Sequence, residues 1–283
     1  MLTPVAESIA EVRRLVGEAK KAGRRVGFVP TMGALHTGHT SLIRQARLEA
    51  DFVVVSIFVN PTQFGPAEDF GKYPRTLEED RQLCTAVGTD LIFAPDAATM
   101  YPPGATTFVE VPALQGGLCG DRRPGHFRGV ATVVLKLFNI VAPDVAYFGQ
   151  KDYQQARVLQ QMAEDLNVPV AVTICPTVRE PDGLAMSSRN RYLSPAERAH
   201  AVCLSQALEH VRAMVAAGER HVNTLMRAMV DILEQTPGVR LDYAEIRDAK
   251  TLQPVGVVER PAVVAVAAFL GATRLIDNLI LTP

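Results

Sequence analysis

Short apolar and β-branched runs recur at 26–30, 52–59, 91–94, 145–148 and 170–174. Most are separated by segments whose apolar positions repeat every three or four residues. That period predicts helices over 41–50, 77–87, 130–141 and 153–166, each ending near Gly, Asp, Pro or Asn punctuation. Strand alternating with helix predicts an α/β domain built on a doubly wound parallel sheet with crossover helices. In such sheets ligands bind beyond the carboxyl ends of the strands, where His36, Asn60, Gln63 and Lys151 fall.

After residue 174 the pattern changes. A polar, Gly-containing stretch over 176–194 precedes two helical segments and three apolar runs near 241–246, 262–269 and 275–281, which predicts a smaller α+β domain. The expected division is 1–175 and 176–283, with the second domain acting as a lid over a nucleotide. Ser194, Pro195 and Glu197 form a strong helix start, with a capping hydroxyl, a proline at the first helical position and a glutamate at the third. Residues 1–16 mix charged and apolar positions and read as an amphipathic helix with no signal-peptide core.

Composition narrows the class. The chain has 283 residues, of which 48% are hydrophobic and 21% charged, with a formal charge of −1, so no basic field argues for nucleic acid. The apolar segment 261–272 is too short to span a bilayer, which needs roughly 20 apolar residues. Cys84, Cys119, Cys175 and Cys203 are scattered with no CxxC pair, which predicts reduced, structural thiols and a cytoplasmic protein.

The densest chemistry lies in His36-Thr37-Gly38-His39, directly after the 26–30 run. A strand, a Gly-containing turn and a helix would aim unpaired helix N–H groups at an anion, with two imidazoles flanking one phosphate. The stretch from Gly33 to Thr40 also has P-loop spacing, but histidine stands where that motif needs the permanent cation of lysine. A plainer alternative has Thr37 capping the helix and both histidines as surface residues.

Other clusters follow the same strand ends. Asn60 and Gln63 offer amides to a hydroxylated substrate, or are simply loop amides. Tyr73 leads into an acidic helix start with Glu78, Glu79 and Asp80. These acids suit the helix dipole, yet Asp80 also suits a magnesium ion shared with ATP phosphates. Arg122, Arg123 and Arg128 lie in a basic loop with two glycines, and Arg123 is the preferred anion contact. Gly149-Gln150-Lys151-Asp152 places an ammonium at a strand end. Asp152 there serves as a helix cap or holds a ribose hydroxyl, and Gln155 lies one turn along. Met186-Ser187-Ser188-Arg189 offers hydroxyls, backbone donors and a guanidinium suited to a triphosphate, or else is an interdomain linker.

An early HxGH and a late Met-Ser-Ser-Arg across an α/β core resemble the HIGH and KMSKS pair of the nucleotidylyltransferase superfamily. Together with Val-Pro-Thr-Met-Gly-Ala-Leu-His at 29–36, Asn-Pro-Thr-Gln-Phe at 60–64, Arg-Pro-Gly-His-Phe at 123–127 and Gly-Gln-Lys-Asp-Tyr-Gln-Gln at 149–155, the chain resembles the pantothenate synthetase family. Met186 to Arg189 lacks the two lysines of KMSKS, which shifts phosphate binding onto Arg189, the serines and Lys151.

The resemblance implies a Rossmann-like domain for nucleotide and pantoate, and condensation of pantoate with β-alanine through a pantoyl adenylate, with release of AMP and pyrophosphate. It further implies magnesium, ATP as co-substrate and a homodimer. It places Thr31, Met32, His36, His39, Gly149, Lys151, Asp152, Val178, Met186, Ser187, Ser188 and Arg189 around ATP. His36, His39, Lys151 and Arg189 take the catalytic roles. Gln63 and Gln155 grip pantoate, Asn60, Tyr73 and Arg123 help close that end, and Asp80 is associated with the metal. Two other functions share some of these motifs: a nucleotidylyltransferase whose adenylylated compound is the final product, and a non-enzymatic nucleotide-binding module.

Overall fold

The computed structural model describes residues 2–66, 68 and 70–283. The strands are β1 (Val5–Ala6), β2 (Val26–Thr31), β3 (Phe52–Ile57), β4 (Leu91–Phe93), β5 (Val145–Gly149), β6 (Ala171–Cys175), β7 (Val239–Asp248), β8 (Ala262–Leu270) and β9 (Thr273–Leu281). The helices are α1 (Ile9–Lys21), α2 (Thr37–Glu49), α3 (Leu77–Ala86), α4 (Ala97–Met100), α5 (Pro112–Gln115), α6 (Leu118–Arg122), α7 (His126–Val141), α8 (Tyr153–Asp165), α9 (Pro195–His200), α10 (Cys203–Ala216) and α11 (Val222–Glu234).

Two compact units result. One comprises residues 1–115, 123–149 and 155–176, and the other 116–122, 150–154 and 177–283. Among the described residues of the first, six parallel strands form one sheet in the order β1-β4-β3-β2-β5-β6. The order reverses at β2, where the chain first builds outward through β3 and later returns to add β5 on the other side. In sheets of this kind ligands bind beyond the carboxyl ends at such a reversal, here those of β2 and β5.

The apolar alternation explains how the sheet is covered. Val29, Val53, Val55, Ile92, Val145 and Tyr147 pack with Leu42, Ile43 and Ala46 of α2 and Cys84 of α3. Phe28 and Phe148 instead meet the Phe138 ring of α7, with centroids 6.5 and 6.4 Å away. Burying each such ring contributes roughly 2–3 kcal/mol. The expected α/β architecture, doubly wound with a smaller α+β part, is the one observed.

In the second unit β7, β8 and β9 make an antiparallel sheet in that order. Even-numbered β8 residues from Ala262 to Leu270 pack with Leu204, Leu208, Leu225 and Met229 of α10 and α11. The helix start at Ser194 is as expected, since Ser194 and Glu197 close a reciprocal capping box. The segment after it holds three helices rather than two, because α9 ends at His200 and α10 starts afresh at Cys203.

Other boundaries differ from the sequence expectation for local reasons. Residues 1–16 are not one helix: β1 comes first, Ser8 caps α1 by accepting from the Glu11 N–H at 3.2 Å, and Met1 lies outside the described residues. Helix α7 begins four residues before 130, after Gly125 adopts a left-handed φ of 80°. Among the described residues no helix is long and apolar enough to cross a membrane. All four cysteines are free, with Cys84, Cys175 and Cys203 buried.

Gly129 on α7 sets how closely the 60–64 loop approaches. A Cβ there would meet the Thr62 carbonyl oxygen at 2.4 Å and the Gln63 Cα at 2.8 Å, backbone atoms with no flexible end to yield. Gly129→Ala should therefore push this loop off α7 and lower stability by about 1–3 kcal/mol. Urea denaturation measures this, and a midpoint unchanged from the parent chain would contradict the packing.

Candidate active site

In the first unit the site starts from the turn after β2. His36, and not Thr37, is the N-cap of α2, and its Nδ1 accepts the Gly38 N–H at 3.1 Å. His39 Nδ1 accepts the His36 N–H at 3.3 Å, and the two rings lie with centroids 4.1 Å apart. The hydrogen-bond network thus assigns the proton of each neutral imidazole to Nε2. Two ring N–H donors are thereby presented at the positive end of a helix, an arrangement suited to phosphate. Both rings are half-buried.

The preceding turn is locked from inside. Gly33 and Ala34 both have left-handed φ values, 81° and 50°, so successive amides point the same way. They point at Asp80: its carboxylate accepts the Ala34 N–H at 2.9 Å and the Leu35 N–H at 2.7 Å, with the Thr76 hydroxyl at 3.3 Å. A P-loop would turn such amides toward a ligand phosphate. Here a carboxylate of the protein occupies that cradle, so the P-loop alternative fails. Asp80 is 1% exposed, and burial pushes its carboxyl above the ordinary range against the pull of the Leu35 and Ala34 amides. Its oxygens are buried against N–H and O–H donors.

Thr31 and Met32 belong to the same framework. The Thr31 hydroxyl donates to the Ser56 carbonyl at 2.8 Å and accepts from Gly33 N–H at 3.2 Å, while Met32 Sδ accepts from Gln63 Nε2 at 3.1 Å. Gln63 Oε1 accepts from Asn60 Nδ2 at 3.0 Å, which fixes which end of the Gln63 amide faces which way. Asn60 is 1% exposed. It also donates to the Gly129 carbonyl at 3.2 Å, and it accepts from the Thr62 hydroxyl at 2.9 Å and the Tyr101 hydroxyl at 2.8 Å. Asn60 is therefore a fastener for Gln63. Tyr73 is buried, its ring 6.0 Å from that of Phe64.

Arg123 is likewise committed. Its Nε and Nη2 donate to Glu68 at 2.7 and 2.6 Å in a bidentate pair, and Nη1 lies 2.9 Å from His126 Nε2. His126 Nδ1 is in turn 2.8 Å from the Gln63 carbonyl. The guanidinium thus braces the Gln63 loop. Arg128 stacks over the Phe108 ring at 3.8 Å. Gly149 ends β5 in register with Cys175. Gln155 on α8 is half-buried, and among the described residues no protein hydrogen bond engages its side-chain amide.

The second unit holds the remaining candidates. Lys151 and Asp152 lie in a single 3-10 turn, Gln150–Asp152, that runs directly into α8. The ammonium is 3.9 Å from the Asp152 carboxylate in a loose, half-exposed pair. Val178 accepts from the Met186 N–H at 2.9 Å, forming a small hairpin closed by an Arg179–Ala185 bridge. Ser187 caps the next turn by accepting from Arg189 N–H at 3.3 Å; Ser188 and Arg189 are half-buried. Behind them Glu180 accepts from Asn190 and Arg198, each at 2.7 Å. Sequence reading missed Glu68, Tyr101 and the partners of the Lys151 turn, because isolated acids and tyrosines carry no local signal.

Comparison with known proteins agrees with these motifs. The model of the family described as pantoate-beta-alanine ligase matches residues 4–280. The pantothenate synthetase of Acidobacterium capsulatum is 55% identical, over 98% of this chain and 96% of its own. That of Thermotoga neapolitana is 54% identical over 98% and 99%. The crystal structure of pantothenate synthetase from Thermus thermophilus superposes with a TM-score of 0.94 at 47% identity, covering 99% of this chain and 100% of that one. The Francisella tularensis pantoate-beta-alanine ligase, solved with beta-gamma ATP and beta-alanine, gives 0.81 at 34% identity over 98% and 97%.

Two outcomes test this geometry. Long-range nitrogen–proton spectra of the unliganded protein should show Nδ1 unprotonated in the neutral forms of both His36 and His39; a protonated Nδ1 in either ring would break the cap described above. For Glu68, burial alone would raise the carboxyl, but the Arg123 hydrogen bonds override it and hold it below the usual carboxylate range. The folded value lies below the unfolded one, so the pair stabilises the fold above about pH 4.3 and loses that contribution as pH falls through the folded value. Arg123→Ala should lower stability at pH 7 by about 1–3 kcal/mol, and by much less at pH 3. Equal losses at both pH values would reject the pair.

Proposed function

The chain belongs to the pantoate-beta-alanine ligase family, and from that premise we propose how its residues divide the work. The reaction condenses pantoate with β-alanine at the expense of ATP. Membership sets aside the simple nucleotide-binding module and the enzyme that stops at an adenylylated product.

A carboxylate resists attack by an amine, so the proposed route passes through a pantoyl adenylate. A pantoate carboxylate oxygen attacks the α-phosphorus as the bond to pyrophosphate breaks. The β-alanine nitrogen then attacks the acyl carbon, AMP leaves, and the amine proton passes to solvent or base. No side-chain nucleophile is required, which suits a chain whose buried Cys84 and Cys175 thiols are pushed up to about 11.

Catalysis on this reading is electrostatic. His36 and His39 donate through Nε2–H, supported by the α2 terminus, to charge that shifts toward pyrophosphate. Lys151 and Arg189 supply full positive charge, with Ser187 and Ser188 adding donors. Thr31, Met32, Gly149, Asp152, Val178 and Met186 shape the nucleotide side. Gln63 and Gln155 hold pantoate, while Asn60, Tyr73 and Arg123 hold the Gln63 loop. The observation that carries the proposal is the pair of imidazoles whose Nδ1 atoms cap the α2 terminus, 4.1 Å apart by ring centroid, which puts the proton of each neutral ring on Nε2. Exclusion of water protects the mixed anhydride from hydrolysis.

Magnesium is proposed to arrive with the ATP phosphates. Among the described residues no three His, Cys, Asp or Glu side chains gather to hold an ion, and Asp80 is occupied by backbone donors. This fits an ion that keeps water and phosphate ligands and takes few from protein. The four unpaired cysteines fit a reducing cytoplasm. A homodimer rests on the family resemblance.

Pantoate-dependent exchange of pyrophosphate into ATP reads the first half-reaction. Lys151→Ala should reduce that exchange by at least about 100-fold with an unchanged melting temperature. Exchange at the parent rate in the folded variant would refute the role given to Lys151. Release of AMP should also depend on β-alanine.

A further inference from the structure

Strand β9 breaks the alternation expected of a sheet with one covered face. Its Leu275, Leu279 and Leu281 pack on the α10–α11 core, and Asp277 falls on that same face between them. Its neighbour Asn278 points to the other face, yet both residues are buried, at 2% and 3% exposure. A leucine at 277 would complete the apolar stripe. Burying a carboxylate there is costly unless it is paired, and a buried ion pair rarely stabilises more than the apolar residues that could replace it. The pair therefore calls for a reason other than stability.

Its partners supply one. Asn278 Nδ2 donates to the backbone carbonyls of Gln150 and Lys151, each at 2.9 Å. Asp277 accepts two parallel bonds from Arg179, at 2.6 and 3.0 Å, and a third from the Asn278 N–H at 2.8 Å. Arg179 also donates to the Gly183 carbonyl at 3.0 Å, which spans the hairpin leading into Met186 to Arg189. Two adjacent residues of one strand thus grip the Lys151 turn and the hairpin leading to Arg189.

We propose that Asp277 and Asn278 form a positioning pair for the ligase reaction, which sets the Lys151 turn and the 178–189 loop in a fixed relation within their unit. Neither residue touches substrate; each acts through the segment it holds. This rests on the roles proposed for Lys151 and Arg189. Small losses of position in charged groups that act on a transition state lower turnover steeply.

The test is a double-mutant cycle read by pantoate-dependent pyrophosphate exchange. Asn278→Asp keeps the size but removes both amide donors, Asn278→Ala removes the side chain, and Asn278→Ser restores one donor. The first two should lower kcat by at least about tenfold with KM for pantoate changed less than about twofold, and the serine variant should recover part of the loss. In a Lys151→Ala background the further loss should shrink below about twofold. Parent-like turnover in Asn278→Asp, or in Asn278→Ala, overturns the pair. So does an undiminished loss in the Lys151→Ala background, which marks a merely structural role. Full activity in Lys151→Ala alone would instead overturn the role of Lys151, and this inference with it.

Discussion

The carboxylate of Asp80 closing on the Ala34 and Leu35 amides is the interaction on which the imidazole pair depends. Two consecutive left-handed residues would leave a loose, solvated bend if nothing captured the amides they expose. Captured, the bend ends β2 and starts α2 in one step, and His36 becomes the cap of that helix. A carboxylate also takes the amides of Ala34 and Leu35 out of competition for anions. Gly33 belongs to the same lock, since a Cβ there would stand 2.9 Å from an Asp80 oxygen.

The same design recurs wherever a candidate ligand group sits on irregular backbone. Gln63 is oriented by buried Asn60, and its loop is braced through His126 and the Arg123–Glu68 pair. The Lys151 turn hangs from Asn278, and the hairpin before Arg189 from the Arg179–Asp277 pair. Loops alone position side chains poorly, and buried hydrogen bonds restore the precision that strands and helices provide by themselves. Such bonds add little net stability, which is why their placement beside reactive segments is informative.

Charge in the molecule follows from this division. Several arginines beside these segments are spent on the protein: Arg123 on Glu68, Arg179 on Asp277 and Arg198 on Glu180. Lys151 is held only loosely by its neighbour Asp152. A half-exposed pair of this kind contributes little stability and is readily exchanged for another partner.

What the chain determines by itself is local. Five runs of β-branched residues, the period of the helices, the Ser194–Glu197 box and the HxGH turn are legible because propensity, periodicity and capping act between near neighbours. The motifs at 29–36, 60–64, 123–127 and 149–155 likewise marked the family. Tertiary structure decided which of those residues hold another residue in place. Asp80 reaches an amide 46 positions away and Asn278 a carbonyl 127 positions away. Whether a buried polar side chain is a ligand or a fastener depends on the partner folding brings to it, and spacing along the chain carries no record of that partner.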